Sequence, residues 1–158
     1  MTARKLIASV GFAFVALLVA SRPAQAAIHC TWSSTNPVAF GTYDVDSPTP
    51  DDANGSVTFN CKGVGGASVI IDLSTGGSGT YAVRRMTGSV ADTLNYNLYL
   101  NATRTQVFGN ATGGTFHYGS NVPPNNVDVL VNIYGRIPAL QDKTPGTYAD
   151  TITATINF

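Results

Sequence analysis

The carboxyl-terminal stretch from Pro145 to Phe158 constrains the fold of this chain more than any other segment. After a Pro145-Gly146 turn signal, Tyr148, Ile152, Ala154, Ile156 and Phe158 carry apolar side chains, and Thr151, Thr153, Thr155 and Asn157 stand between them. Alternation with a period of two residues is the pattern of a strand with one buried and one wet face. A helix would need its apolar residues three and four apart.

The same alternation recurs upstream. Val57, Phe59 and Cys61 alternate with Ser56, Thr58 and Asn60, and Val69, Ile71 and Leu73 with Ser68, Ile70 and Asp72. Leu94, Tyr96, Leu98 and Leu100 alternate with Asn95, Asn97 and Tyr99, and Val127, Val129, Val131 and Ile133 with Asp128, Leu130 and Asn132. Ile28 to Trp32 and Val38 to Tyr43 complete the amino-terminal side, and Val107-Phe108 is a short strand candidate. Asp44 to Gly55 is expected to be a loop ending in an Asn54-Gly55 turn, and Ser74 to Thr80 and Gly109 to Gly114 are turn material. The pattern predicts one all-β domain of about seven strands, a β-sandwich close to the immunoglobulin-like set. The sequence stops where a partner for the last strand is expected. That leaves an apolar cleft beside a terminal strand, which another protein can grasp by adding a strand of its own.

The amino terminus reads as a secretory signal peptide. Arg4-Lys5 is a basic start, Leu6 to Ala20 is an apolar run, and Ala24-Gln25-Ala26 is an A-x-A cleavage site, so residues 1–26 are expected to be removed. The apolar run is short for a membrane span of about 20 residues. No membrane span is therefore expected after cleavage. The remainder, 27–158, has about 130 residues, the size of one domain. Cleavage removes Arg4, Lys5 and Arg22 and leaves six basic side chains against nine aspartates, with no glutamate in the chain. A mildly acidic surface without a basic run argues against nucleic acid as a partner.

Two cysteines, Cys30 and Cys61, are present. An even count behind a secretion signal points to a disulfide, closing a loop whose entropy contributes roughly 3–4 kcal/mol. A metal or redox pair is the alternative, but only His29 and His117 are available as further nitrogen ligands. Enzymatic chemistry finds no nucleophile, base and orienting group in a recognisable arrangement. Asp44, Asp46, Asp51 and Asp52 sit in a Pro-rich stretch as turn residues, and Gly113-Gly114 lacks the Lys-Ser/Thr of a phosphate loop. No catalytic, metal or cofactor-binding residue is assigned and no cofactor is expected. Arg84-Arg85 with Asp92 is read as a solvated loop pairing, Trp32 and Tyr96 as core, and Tyr99 as the more exposed aromatic. Asn101-Ala-Thr103 and Asn110-Ala-Thr112 fit the glycosylation sequon, a pattern that recurs by chance.

Six motifs then fall in order: Phe40-Gly-Thr-Tyr-Asp44 after the first cysteine, Arg84-Arg-Met86, Leu94-Asn-Tyr-Asn-Leu-Tyr-Leu100, Thr105-Gln-Val-Phe-Gly109, Tyr134-Gly-Arg-Ile-Pro-Ala-Leu-Gln141 and Gly146-Thr-Tyr-Ala-Asp150. Together they resemble the spore coat protein U family, which includes subunits of archaic, Csu-type chaperone–usher pili. The resemblance covers Cys30 to Phe158. It implies an incomplete immunoglobulin-like β-sandwich whose final strand is supplied by a partner. The partners it implies are a periplasmic pilus chaperone, an outer-membrane usher and neighbouring pilus or coat subunits. The family's paired cysteines match Cys30 and Cys61. The strand-complementation edge would be Tyr148, Ile152, Ala154, Ile156 and Phe158, with Phe158 and its carboxylate as the anchor.

One departure stands out. Only Ala27-Ile28-His29 separate the expected cleavage site from Cys30, where a polymerising shaft subunit carries a long alternating segment. The chain is therefore expected to accept a strand without donating one. That suits a tip, terminal or coat subunit, exported through the periplasm to a surface pilus or extracellular coat and supporting adhesion or biofilm. The alternative is a stand-alone secreted lectin-like or adhesin sandwich.

Overall fold

The computed structural model describes residues 27–158 apart from Val90. The expected signal peptide, 1–26, lies outside the described residues. Among the described residues, nine strands make up the fold: β1 (His29–Asn36), β2 (Asp51–Lys62), β3 (Val69–Leu73), β4 (Arg84–Gly88), β5 (Thr93–Tyr99), β6 (Tyr118–Asn121), β7 (Asp128–Ile137), β8 (Tyr148–Ala149) and β9 (Ala154–Asn157). A 3-10 turn spans Gly76–Ser78. The strands form a six-stranded sheet, ordered β1-β2-β7-β5-β4-β8, and a three-stranded sheet, ordered β6-β3-β9. Every pairing of named strands is antiparallel.

The alternation determines which faces meet. Val57, Phe59 and Cys61 of β2, Leu94, Tyr96 and Leu98 of β5, and Val131, Ile133 and Ile137 of β7 are buried from the large sheet. Val69, Ile71 and Leu73 of β3 are buried from the small one. The longest ladder joins β2 to β7 continuously, from Asp51 opposite Ile137 to Asn60 opposite Asp128.

That ladder corrects the expected loop at 44–55. Asn54 lies opposite Tyr134 and Gly55 opposite Ile133, inside β2. Gly55 is required there by a close approach. A Cβ on it would lie 2.6 Å from the Asn36 carbonyl oxygen. Glycine in a strand can mark such an approach, and here it does so instead of a turn. The Val38 to Tyr43 stretch joins no ladder, but Val38, Phe40 and Tyr43 still pack on the core. Strands β4 and β6 were not anticipated. In β4 the inward residues are Arg84 and Met86, so a buried arginine hides the alternation. The terminal strand is split in two: β8 pairs with β4 of the large sheet and β9 with β3 of the small one.

Cys30 and Cys61 form a disulfide, directly opposite one another in the β1–β2 ladder. With both sulfurs bonded to each other, the metal alternative does not hold for this pair. It secures β1, which pairs with β2 alone and carries a register shift between Trp32 and Ser34. Replacing both cysteines by alanine is expected to lower stability by roughly 3–4 kcal/mol. Denaturant midpoints of the oxidised protein and the double variant measure it, and equal midpoints would contradict it.

Candidate functional site

The two sheets do not close on one side. The large sheet ends in β1 and β8 and the small sheet in β6 and β9, and a long groove runs between the chain around β1 and the chain that leaves β8 for β9. One wall is the chain from Trp32 to Val45; the other is the chain from Lys143 to Ala154. Two adjoining hollows make up the groove, of about 810 and 620 Å³, with Val38, Phe40, Met86 and Tyr148 bordering both. Leu94 and Ile137 line the first, and Val57, Leu73, Tyr96, Leu98 and Ile133 the second. These are residues of the hydrophobic core, reached from outside. An unpaired strand edge beside a row of apolar hollows has the features that strand addition uses, main-chain hydrogen-bonding groups along the edge and space for alternate side chains.

The residues expected at the edge distribute as follows. Tyr148 borders both hollows, and Ile152 and Ala154 border the second. Ile156, opposite Ile71, is half-buried against the core. Thr151, Thr153 and Thr155 point outward. Phe158 differs from expectation. It is 56% exposed and lies beyond the last ladder pair, Ile70 with Asn157, so no opposing strand turns its ring inward. Trp32, expected in the core, is 40% exposed. It sits at the groove mouth edge-on to Phe59, with ring centroids 6.4 Å apart, because the β1 edge has no outer neighbour to cover it.

Polar groups hold the walls. Arg84 is not a solvated partner of Asp92 but is fully buried. Its Nε and Nη2 donate to the Ser74 carbonyl at 3.1 and 2.7 Å, Nη2 to the Phe108 carbonyl at 2.7 Å, and Nη1 to Asn97 Oδ1 at 2.7 Å. The guanidinium also lies over the Tyr81 ring. Burial pulls its pKa below the usual arginine value. Tyr96 donates its hydroxyl to Asp150 Oδ2 at 2.7 Å. Burial, then the bond to that carboxylate, pushes the Tyr96 pKa up.

Asp92 holds the earlier part of the same wall, at Lys143, Thr144 and Tyr148. It accepts from the Thr93 and Thr144 amides, from Lys143 Nζ and from the Tyr148 hydroxyl. The Thr144 and Thr93 amides, with Lys143, hold its pKa at about 2. Sequence reasoning missed Arg84, Ser74 and Asp150 as parts of the site. The available signals were the inward spacing of Arg84 and Met86 and the aspartate closing Gly146-Thr-Tyr-Ala-Asp150.

Among the described residues no three His, Cys, Asp or Glu side chains gather as a metal site, and no helix is long and apolar enough to cross a membrane. The Spore Coat Protein U domain model matches residues 14–155. Protein U of Myxococcus xanthus is 34% identical over 130 residues, which cover 75% of this chain and 70% of that protein. Among solved structures, a chain of the chaperone–tip adhesion subunit pre-assembly complex from the archaic chaperone–usher Csu pili of Acinetobacter baumannii is similar, with a TM-score of 0.58 and 19% identity. The match covers 84% of this chain and 40% of that one, and at this identity the likeness is one of fold. The architecture is an all-β, incomplete immunoglobulin-like sandwich with its open side between the chain around β1 and the chain that leaves β8 for β9. By the family match over nearly its whole length and by its likeness to protein U, the chain belongs to the Spore Coat Protein U domain family.

Proposed function

We propose that this chain is an exported, non-enzymatic structural subunit of a surface pilus or extracellular coat, assembled by chaperone–usher strand complementation. The observation that carries this reading is the open groove, with core side chains along it and, on one wall, the terminal segment from β8 to Ala154 at the start of β9. The family membership and the fold shared with a chain of a chaperone–subunit complex support it. Residues 1–26 serve as a cleaved secretion signal. A periplasmic chaperone covers the groove, an outer-membrane usher passes the subunit outward, and a neighbouring subunit's strand then replaces the chaperone's. Tyr148, Ile152, Ala154 and Ile156 form the strand-complementation edge. With only Ala27-Ile28-His29 between the proposed cleavage site and Cys30, the subunit takes a tip, terminal or coat position, where it supports adhesion and biofilm.

The test is expression with and without a periplasmic chaperone of the archaic chaperone–usher class. The chain is expected to co-purify with the chaperone and to aggregate or be degraded without it. A soluble, stable monomer in the absence of any chaperone would reject the reading in favour of a stand-alone lectin-like module.

A further inference from the structure

The groove wall carried by the terminal segment has a weak point at its centre. Strand β8 ends at Ala149 on the large sheet and β9 begins at Ala154 on the small one. Between them, Asp150 to Thr153 cross from one sheet to the other outside any strand ladder. The part beyond is a four-residue strand paired on one side only. A short single-sided strand is marginal by itself and belongs to the least stable parts of a fold.

Side chains bridge the gap. Asp150 Oδ2 accepts from the Tyr96 hydroxyl, and Oδ1 accepts from the Gly77 amide at 2.9 Å and the Thr151 amide at 2.8 Å. Gly76 has φ +67°, and a Cβ on it would collide with the Asp150 carboxylate. Two residues on from Thr151, Thr153 is held from both directions: its carbonyl accepts from the Ser74 amide at 2.9 Å, and its amide donates to Ser74 Oγ at 2.9 Å. Ser74 is itself fixed, because the buried Arg84 fork places two donors on its carbonyl. Both ends of the crossing are thus tied to the interior, one through Tyr96 and one through Ser74 and Arg84.

We propose that this bracket, Tyr96–Asp150–Gly77 and Arg84–Ser74–Thr153, fixes the crossing segment and with it the position of β9, so that an incoming extended strand meets a groove wall already in place. Pre-organisation of this kind removes an ordering cost from capture. The bracket residues are positioning residues: they act through the backbone of 150–157. The inference rests on the groove being a strand acceptor.

Tyr96→Phe removes one hydroxyl and leaves the ring in the core. Amide hydrogen exchange, followed peptide by peptide, is read on the exported chain diluted from denaturant to a concentration at which it stays monomeric. Exchange across Thr151 to Asn157 is expected to quicken by about tenfold, with β2 and β7 unchanged, as local rather than global opening requires. Asp150→Ala, which removes the acceptor for Tyr96, Gly77 and Thr151 together, should have an equal or larger local effect. Adding Tyr96→Phe to it should change little further, because the bond that Tyr96 makes is already gone. In the chaperone complex the difference between variant and wild type should vanish, since the added strand supplies β9 with a second ladder. Equal acceleration in β2, β7 and β9 would mean a general weakening and overturn the proposal, as would no change at all. If wild type fails to bind chaperone, the strand-acceptor reading fails by that result alone, while the exchange contrast in the free chain still decides whether the bracket holds the wall.

Discussion

Ile156→Asp is expected to cut recovery of the subunit with its chaperone by tenfold or more. Ile156 faces inward opposite Ile71, which is wholly buried. An aspartate at this half-buried position sets a charge against the core, and a charge partly desolvated without a counter-charge costs about 1–3 kcal/mol, on the order of tenfold to a hundredfold in the folded population. The comparison variant must change only the outer face. Thr155 is exposed and lies opposite Asp72, so aspartate at 155 would add a like-charge pair to the ladder. Lysine avoids that, and Thr155→Lys is expected to give nearly wild-type recovery. The measurement is the amount of complex recovered after co-expression at matched subunit synthesis. If the two variants behave alike, the inward facing of β9 does not govern capture, and the proposed function loses its main mechanical support.

Arg84→Met is the second large effect. Methionine fills much of the volume but leaves the Ser74 and Phe108 carbonyls without the guanidinium donors, and Asn97 Oδ1 with the Leu98 amide alone. Each buried group left unsatisfied costs about 1–3 kcal/mol, and losing the desolvated charge returns part of that, so a net loss of about 3–5 kcal/mol is expected. Arg84→Lys should restore little, because one ammonium cannot reproduce a planar fork that spans two carbonyls and an amide. Denaturant unfolding of the chaperone-free or strand-complemented domain checks both variants. An Arg84→Met variant as stable as wild type would show that the guanidinium is replaceable packing.

Both predictions turn on residues of different legibility. Where side chains alternate simply between apolar and polar, as in β2, β3, β5 and β7, strand and inward face could be read from composition, because burial of one face is what holds such strands together. The inward side of the terminal segment was readable for the same reason. Three kinds of position were not. An arginine facing inward looks like a surface residue until three carbonyl and amide partners converge on it, so β4 was missed. An Asn-Gly pair looks like a turn until a neighbouring backbone is seen pressing on the glycine, so the start of β2 was missed. An edge has no signature in its own sequence: Trp32 and Phe158 are exposed because of strands that are not beside them. The crossing at Asp150 to Thr153 left one local trace, the polar Asp150 at an inward position between Tyr148 and Ile152, which does not by itself tell that the chain changes sheets there.

The pairing of β2 with β7 has a consequence for the order of events during export. A chain that crosses a membrane amino terminus first delivers β1 and β2 early, with Cys30 and Cys61 only 31 residues apart. The strand that completes β2, from Asp128 to Ile137, emerges some 70 residues later in the register that pairs Asn60 with Asp128. Until it arrives, Val57 and Phe59 have no neighbour on that side. The early hairpin can nevertheless be oxidised at once, and with only two thiols in the chain no wrong intramolecular bond competes. On the proposed export route the disulfide locks the first hairpin while the distant half of its sheet is still being threaded. A slow, long-range closure of this kind leaves apolar surface exposed for longest in the newly arrived chain.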